Sequence, residues 1–363
     1  MSAGATAMSD AMSGDVIARR EGAAGIVRLN RPKALNALTV EMVRDIVSAL
    51  DSFEPDPGVS LVLLEGAGER GLCAGGDIRG LYESAKARGD LGAVFWREEY
   101  ILNARISEFP KPYVSYMDGL VMGGGVGLSA HGAHRIVTEK TKIGMPEAGL
   151  GFFPDVGGTW LLSRAPGEIG TYLALTGLTI GGADAIYAGA ADTLIATGDW
   201  PALRDALANA PLQATSKDVR AILARFAAVD IDAPLARHRE QIDRAFAHDT
   251  VEAIVTALEQ DGSEFAQATL KALSEKSPTA LKVTLELLRR ARSSKSLKEC
   301  LIREYNSALA VFDSSEFIEG VRAAIIDKDR QPKWAPQLIE AVTPDIVARY
   351  FAPNGKYTLV FPD

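Results

Sequence analysis

GIVRLNRPKALNALTVEMVRDIVSALDSFEPDPGVSLVLLEG, residues 25–66, carries the pattern that decides the fold. Its first six residues, GIVRLN, read as a strand. From Thr39, a residue suited to capping a helix, Val40, Val43, Ile46, Val47 and Leu50 fall on one helical face. VSLVLLEG at 59–66 is then a short apolar run, which predicts a buried strand. Strand, helix and strand in that order argue for an α/β fold with parallel strands.

The alternation continues on the C-terminal side. A helix is expected near 91–109, then the strand PYVSYMDG, a glycine-rich turn with a short helix, and the strand RIVTE at 135–139. After about residue 165 the strand signals fade, and 165–177, 217–228, 237–247, 263–275, 278–291 and 296–312 carry helical periodicity, with Pro278 in a first turn after Ser277. The expected organisation is a flexible tail over 1–15, an α/β core over 16–210 and a helical region over 211–363 that covers the site. No internal repeat interrupts it.

The chain has 363 residues, 47% hydrophobic and 24% charged, enough for a large buried core. A net charge of -8 argues against nucleic acid, which is held mainly by clustered Lys and Arg. Cys73 and Cys300 stand far apart and give neither a disulfide framework nor metal-ligand spacing, so a reducing, cytoplasmic setting is expected. The opening MSAGATAMSDAMSG lacks the basic and apolar parts of a secretory signal, and no apolar run is long enough to span a membrane.

Two glycine-rich turns invite a chemical reading. MGGGVGLSA at 122–130 contains G-x-G-x-x-A, but RIVTE ends only twelve residues after Gly127, too soon for a dinucleotide fold. Glycines before a helix also let backbone N–H groups approach developing negative charge, and LCAGGDIRG at 72–80 is a second such turn. Taken alone, each glycine cluster is better read as a tight structural turn.

Three acids stand in unexpected company. Glu99 falls on the apolar stripe of Phe95, Leu102, Ile106 and Phe109, where it either pairs with Arg97 or Arg105 or serves a function. Glu147 and Asp155 lie in MPEAGLGFFPDVGGTW, a shaped loop in which burial favours the protonated carboxyl. Both could instead cap helices, Asp155 before VGGTW in particular. His131 and His134 have no third ligand beside them, so no metal site is expected, and Cys73 reads as a small buried residue.

LNRPKALNAL at 29–38, CAGGDI at 73–78 and MDGLVMGGGVGL at 117–128 resemble, in order and spacing, the crotonase or enoyl-CoA hydratase/isomerase superfamily. Within it, FWREEYILN at 95–103, MPEAGLGFFPDVGG at 145–158 and EGVRAAIIDKDRQPKW at 319–334 are similar to the 3-hydroxyisobutyryl-CoA hydrolases. The resemblance spans roughly residues 20 to 345 and implies a spiral of ββα units with a helical C-terminal region. It implies hydrolysis of 3-hydroxyisobutyryl-CoA, and of 3-hydroxypropionyl-CoA as well, as in valine breakdown, with no cofactor beyond the coenzyme A of the substrate. The N–H groups of Gly76 and Gly124 would form an oxyanion hole, Glu147 would be the catalytic glutamate, Asp155 the aspartate of the PDVGG motif, and Glu99 would face the substrate. Whether Glu147 attacks the carbonyl or directs water to it stays open. Lys33, Ala34, Leu35, Ala74, Gly75, Asp77 and Ile78 would hold coenzyme A, with Lys33 and Lys328 as phosphate contacts. Hydratases carry a first catalytic glutamate where this chain has Gly127, which argues against hydration. The remaining alternatives are another crotonase-fold lyase and a non-catalytic acyl-CoA-binding protein; a homo-oligomer is open.

Overall fold

The computed structural model describes residues 14–229 and 231–362, so most of the tail expected over 1–15 lies outside the described residues. The strands, in chain order, are β1 (Val16–Glu21), β2 (Ala24–Leu29), β3 (Leu61–Gly66), β4 (Gly71–Cys73), β5 (Tyr113–Met117), β6 (Leu120–Met122), β7 (His134–Thr138), β8 (Lys142–Gly144), β9 (Ile180–Gly181) and β10 (Thr193–Ile195). They form a six-stranded sheet in the order β1-β2-β3-β5-β7-β10 and a four-stranded sheet in the order β4-β6-β8-β9. β1 and β2 form an antiparallel hairpin that pairs Val16 with Leu29; from β2 onward the large sheet is parallel.

Successive strands are dealt alternately to the two sheets: β3, β5 and β7 to the large one, β4, β6 and β8 to the small one. Helices α2 (Ile78–Lys86) and α3 (Leu91–Ser107) follow β4, and α4 (Gly124–Ser129) follows β6. Each turn of the chain is therefore a ββα unit, and the turns stack into the expected spiral. Because β4, β6 and β8 run parallel, the segments that follow them meet at one side of the small sheet.

The apolar run of β3 follows from burial on both faces. Val62 and Leu64 pack with Val27, Leu29 and helix α1 (Val40–Phe53) on one side, while Leu61 and Leu63 join Ile26, Val114 and Ile136 on the other. Each such side chain contributes on the order of 1.5–3 kcal/mol relative to exposure. In α1 the Thr39 hydroxyl accepts the Met42 N–H at 3.2 Å, and Val40, Val43, Ile46 and Leu50 are buried as their spacing implies.

The sequence reading needs correction at the short elements. Strand structure does not end near 165 but runs to β10, whose three residues are too few to show a period. β1 escaped notice because only Val16 of VIARRE is buried. The helices Trp200–Ala208, Val251–Asp261 and Ser315–Val321 were not foreseen, whereas Ser277 caps Pro278–Ala291 as expected. The region 211–363 does not act as one cover: Ser216–Leu223 packs Val219 and Leu223 on the outer face of the large sheet, together with Leu203 and Leu207. The helices from Pro278 onward pack instead on α2, α3 and the turn that begins at Glu147, where the strand ends converge.

Candidate active site

Two backbone turns face each other at the ends of β4 and β6. In the first, Leu38 donates to the Gly75 carbonyl at 2.9 Å, Asp77 donates to Leu38 at 2.8 Å and Ala74 donates to Leu35 at 3.0 Å. The loop 31–38 thus straps the 72–78 turn. Asn36 fixes that loop: its amide donates to the carbonyls of Ala67, Gly71 and Leu72, and its Oδ1 accepts from the Arg31 N–H. In the second turn, Gly123 has φ +46° and Gly124 opens α4, where the first N–H groups have no partner within the helix. A methyl group at Gly124 would lie 3.5 Å from the Gly76 nitrogen and 2.5 Å from Glu99 Oε1. The two glycine turns and Glu99 therefore border one small volume.

Glu147 and Asp155 come from the loop after β8. Glu147 opens the 3-10 turn Glu147–Leu150 and presses on the bare face of Gly123, where a Cβ would stand 2.8 Å from Glu147 Oε1. Asp155 Oδ2 accepts the Tyr100 hydroxyl at 2.7 Å. Glu99, Asp155 and Glu147 are 1%, 6% and 9% exposed, yet one oxygen each of Glu99 and Glu147 has no hydrogen-bond partner. All three line a cavity of about 80 Å³ with Ala74, Gly75, Gly76, Ile78, Gly123 and Gly124.

Of the two readings of Glu99, pairing with Arg97 or Arg105 does not occur. Arg105 bonds Asp51 and Glu54 at 2.6 and 3.0 Å, and Arg97 is exposed. Neither loop acid caps a helix. The helix α5 (Gly158–Leu162) receives its cap from Glu304 in Leu297–Phe312, which accepts the Gly157 N–H at 2.7 Å, the Thr159 N–H at 3.1 Å and the Thr159 hydroxyl. Asp155 is thereby released toward the cavity. Beside it Val156 holds φ +51°, a conformation costly for a β-branched residue, with its carbonyl 2.7 Å from His131 Nε2.

Burial first, and crowding of acids second, set their protonation. Burial, then the charges of Asp155 and Glu147, push the Glu99 carboxyl well above the usual carboxylate range. Burial, then Asp155, does the same to Glu147. Asp155 is pushed up to about 7 by burial, with the Tyr100 hydroxyl pulling it down and Glu304 pushing it further up. Glu304 also reaches about 7 through burial, against the hydrogen bonds from Thr159 and Gly157. These groups titrate as a set, with protons held near neutral pH, which suits proton transfer and a single reactive carboxylate.

The coenzyme-binding expectations divide. Ala74, Gly75 and Ile78 line the cavity, whereas Asp77 lies outside it and faces Arg31 at 3.4 Å. Lys33 and Ala34 are exposed and Leu35 is half-buried, on the strap above the turn; Lys328 is exposed beyond the helix Ser315–Val321 and does not line the cavity. Cys73 is buried and its thiol is pushed up to about 12 by burial, so it offers no thiolate. Burial likewise takes His131 down to about 4. Among the described residues no acid, His or Cys cluster could hold a metal ion.

Tyr100, Glu304, Trp96 and Phe317 were not picked out from the sequence, and His131, set aside there as a metal ligand, has a structural partner. Trp96 and Phe317 line the cavity, and Tyr100, Glu304 and His131 hold its Asp155 loop. The only signal for Tyr100 was its place beside Glu99. At Gly127 a Cβ would lie 2.7 Å from Val156 Cβ and 2.9 Å from Asn103 Nδ2, so that position is already filled.

Known proteins resemble the chain over nearly its whole length. The profile of the enoyl-CoA hydratase/isomerase family matches residues 24–351. The mouse protein named 3-hydroxyisobutyryl-CoA hydrolase, mitochondrial, is 43% identical over 352 residues, 96% of this chain and 91% of its own length. The human protein of the same name is 42% identical over 353 residues, with the same shares covered. Among solved structures, one titled carnitinyl-CoA dehydratase from Mycobacterium thermoresistibile superposes with TM-score 0.90 at 46% identity, covering 96% of this chain and 98% of its own. Another, titled enoyl-CoA hydratase from Rhodobacter sphaeroides, gives 0.88 at 45% identity, covering 96% and 100%.

Proposed function

The chain belongs to the enoyl-CoA hydratase/isomerase family, and from that premise we propose that it hydrolyses the thioester of 3-hydroxyisobutyryl-CoA to the free hydroxy acid and coenzyme A. The observation that carries the reading is the convergence of Glu147, Asp155 and Glu99 on a cavity bordered by the Gly76 and Gly124 turns. A neutral thioester would need no such acids merely to be bound.

The thioester carbonyl oxygen lies between the N–H groups of Gly76 and Gly124, which stabilise the negative charge that grows there. In one route a Glu147 oxygen attacks the carbonyl carbon and the carbon–sulfur bond breaks. The sulfur leaves with the proton of a neighbouring carboxyl, giving thiol and a mixed anhydride. Water then cleaves the anhydride, one proton returns to the acid set, and Glu147 is regenerated. In the other route Glu147 takes a proton from water, whose oxygen attacks directly; the carbon–sulfur bond then breaks and that proton passes to the leaving sulfur. Asp155, held by Tyr100 and poised near pH 7, suits the proton transfers of either route, and Glu99 suits an accepted hydrogen bond from the substrate hydroxyl. Ala74, Gly75 and Ile78, with the strap Lys33–Leu35, suit the pantetheine side of the substrate. The free, buried Cys73 and Cys300 suit a reducing compartment.

Two similar structures bear hydratase and dehydratase titles, a reading that the filled space at Gly127 opposes. The test is thiol release from 3-hydroxyisobutyryl-CoA and acetyl-CoA beside hydration of crotonyl-CoA. Release dependent on the 3-hydroxyl supports the hydrolase; consumption of crotonyl-CoA without thiol release refutes it.

A further inference from the structure

We infer that Phe317, carried to the cavity by the helix Ser315–Val321, is a specificity-determining residue that closes its acyl end and restricts the enzyme to short hydroxyacyl thioesters. The inference rests on the hydrolase reading and extends it to a named wall of the site.

The aromatic wall lies at the acyl end because it is continuous with the acids. Trp96 precedes Glu99 by one helical turn, and Phe152 stands between Glu147 and Asp155 in the chain; both line the cavity, as does Phe317. Trp96 stacks on Phe152 with ring centroids 5.2 Å apart, and Phe317 sits 6.0 Å from Phe152 and 6.4 Å from Trp96. Ala74 and Gly75, on the turn held by the strapped loop, line the same cavity and suit its thiol end. The cavity as a whole measures only about 80 Å³. A short branched acyl group leaves the aromatic wall in place, whereas a chain longer by a propyl group has to press on it.

The wall is also fixed. Phe317 is 1% exposed. Its helix is locked to the Glu147 turn by two close backbone approaches, since a Cβ at Gly151 would run into the Glu316 carbonyl and one at Gly320 into the Leu150 carbonyl. The Glu316 carboxylate accepts the Ser277 hydroxyl and the Ala335 N–H, the latter at 3.3 Å. With backbone against backbone there is no flexible side chain to yield, so a longer acyl chain must displace the ring itself in a close-packed region.

The experiment compares thiol release from 3-hydroxyisobutyryl-CoA and 3-hydroxyhexanoyl-CoA by wild type, Phe317→Ala and Phe317→Leu. Wild type is expected to disfavour the longer chain by ~100-fold or more in kcat/KM, and Phe317→Ala to recover at least ~10-fold of that ratio, the scale of one or more methylenes in a closed pocket. Phe317→Leu keeps the site apolar and should move the ratio less, in the same direction; it decides the matter if the alanine variant does not fold. A ratio unmoved in a variant that melts cooperatively and still turns over 3-hydroxyisobutyryl-CoA overturns the inference, as does a wild type indifferent to chain length. A wild type that releases no thiol from 3-hydroxyisobutyryl-CoA overturns the hydrolase reading itself.

Discussion

At the residue scale the site turns on how Asp155 is held. The Tyr100 hydroxyl is its hydrogen-bond donor, and that bond works against the burial that raises its pKa. Removing the donor with Tyr100→Phe should move the acid limb of the kcat/KM profile to higher pH by about one unit, the equivalent of a ~1.4 kcal/mol hydrogen bond to a charged group. The ring and its packing stay, so folding should be little affected. A pH profile superposing on wild type would remove Asp155 from the titrating set. Glu147 and Asp155 could be picked out from the sequence because carboxylates among Gly, Pro and Phe have no ordinary surface role. Tyr100 could not, since a tyrosine on an apolar helical face reads as core. Glu99 was ambiguous until the structure sent Arg105 to Asp51 and Glu54.

At the element scale, the short helix α5 depends on a carboxylate distant in the chain. Glu304 satisfies the N–H groups of Gly157 and Thr159, which would otherwise be buried without partners. Glu304→Ala should therefore cost at least about 2 kcal/mol of stability, the penalty for orphaned buried donors, measured by denaturant unfolding. It should also lower turnover, because the same bonds hold the strained Val156 beside Asp155. A variant as stable as wild type would show that water or rearrangement replaces the cap. This arrangement was not legible in the sequence: a glutamate in an amphipathic helix looks solvent-facing, and nothing local links Leu297–Phe312 to the PDVGG turn. Long elements with full periods, such as α1 and Pro278–Ala291, were legible; β9 and β10, with two and three residues, were not.

For the whole molecule, burying protonated acids makes stability depend on pH. Asp155 and Glu304 rise to about 7 from ordinary values of 3.8 and 4.5. The folded state then holds more protons than the unfolded one between those limits, so this contribution is complete at acid pH and is lost as pH rises through about 7. The melting midpoint should accordingly fall between pH ~5 and ~8, and Glu304→Gln should flatten that slope; a midpoint that rises over this range would mean the acids are ionised when folded. A parallel α/β core was legible in strand, helix, strand at 25–66 and the spiral was implied by the family resemblance, but the alternation between two sheets could not be read from the residues, because β4, β6 and β8 have three residues each. It is that alternation which brings Gly76, Gly124 and Glu147 together. The most direct test of their joint action is the rate of thiol release from 3-hydroxyisobutyryl-CoA by wild type and Glu147→Gln, with melting curves for both. A fall in kcat of about 100- to 1,000-fold or more in a variant that melts like wild type is the expected result, and near-wild-type turnover would show that Glu147 does not act on the thioester.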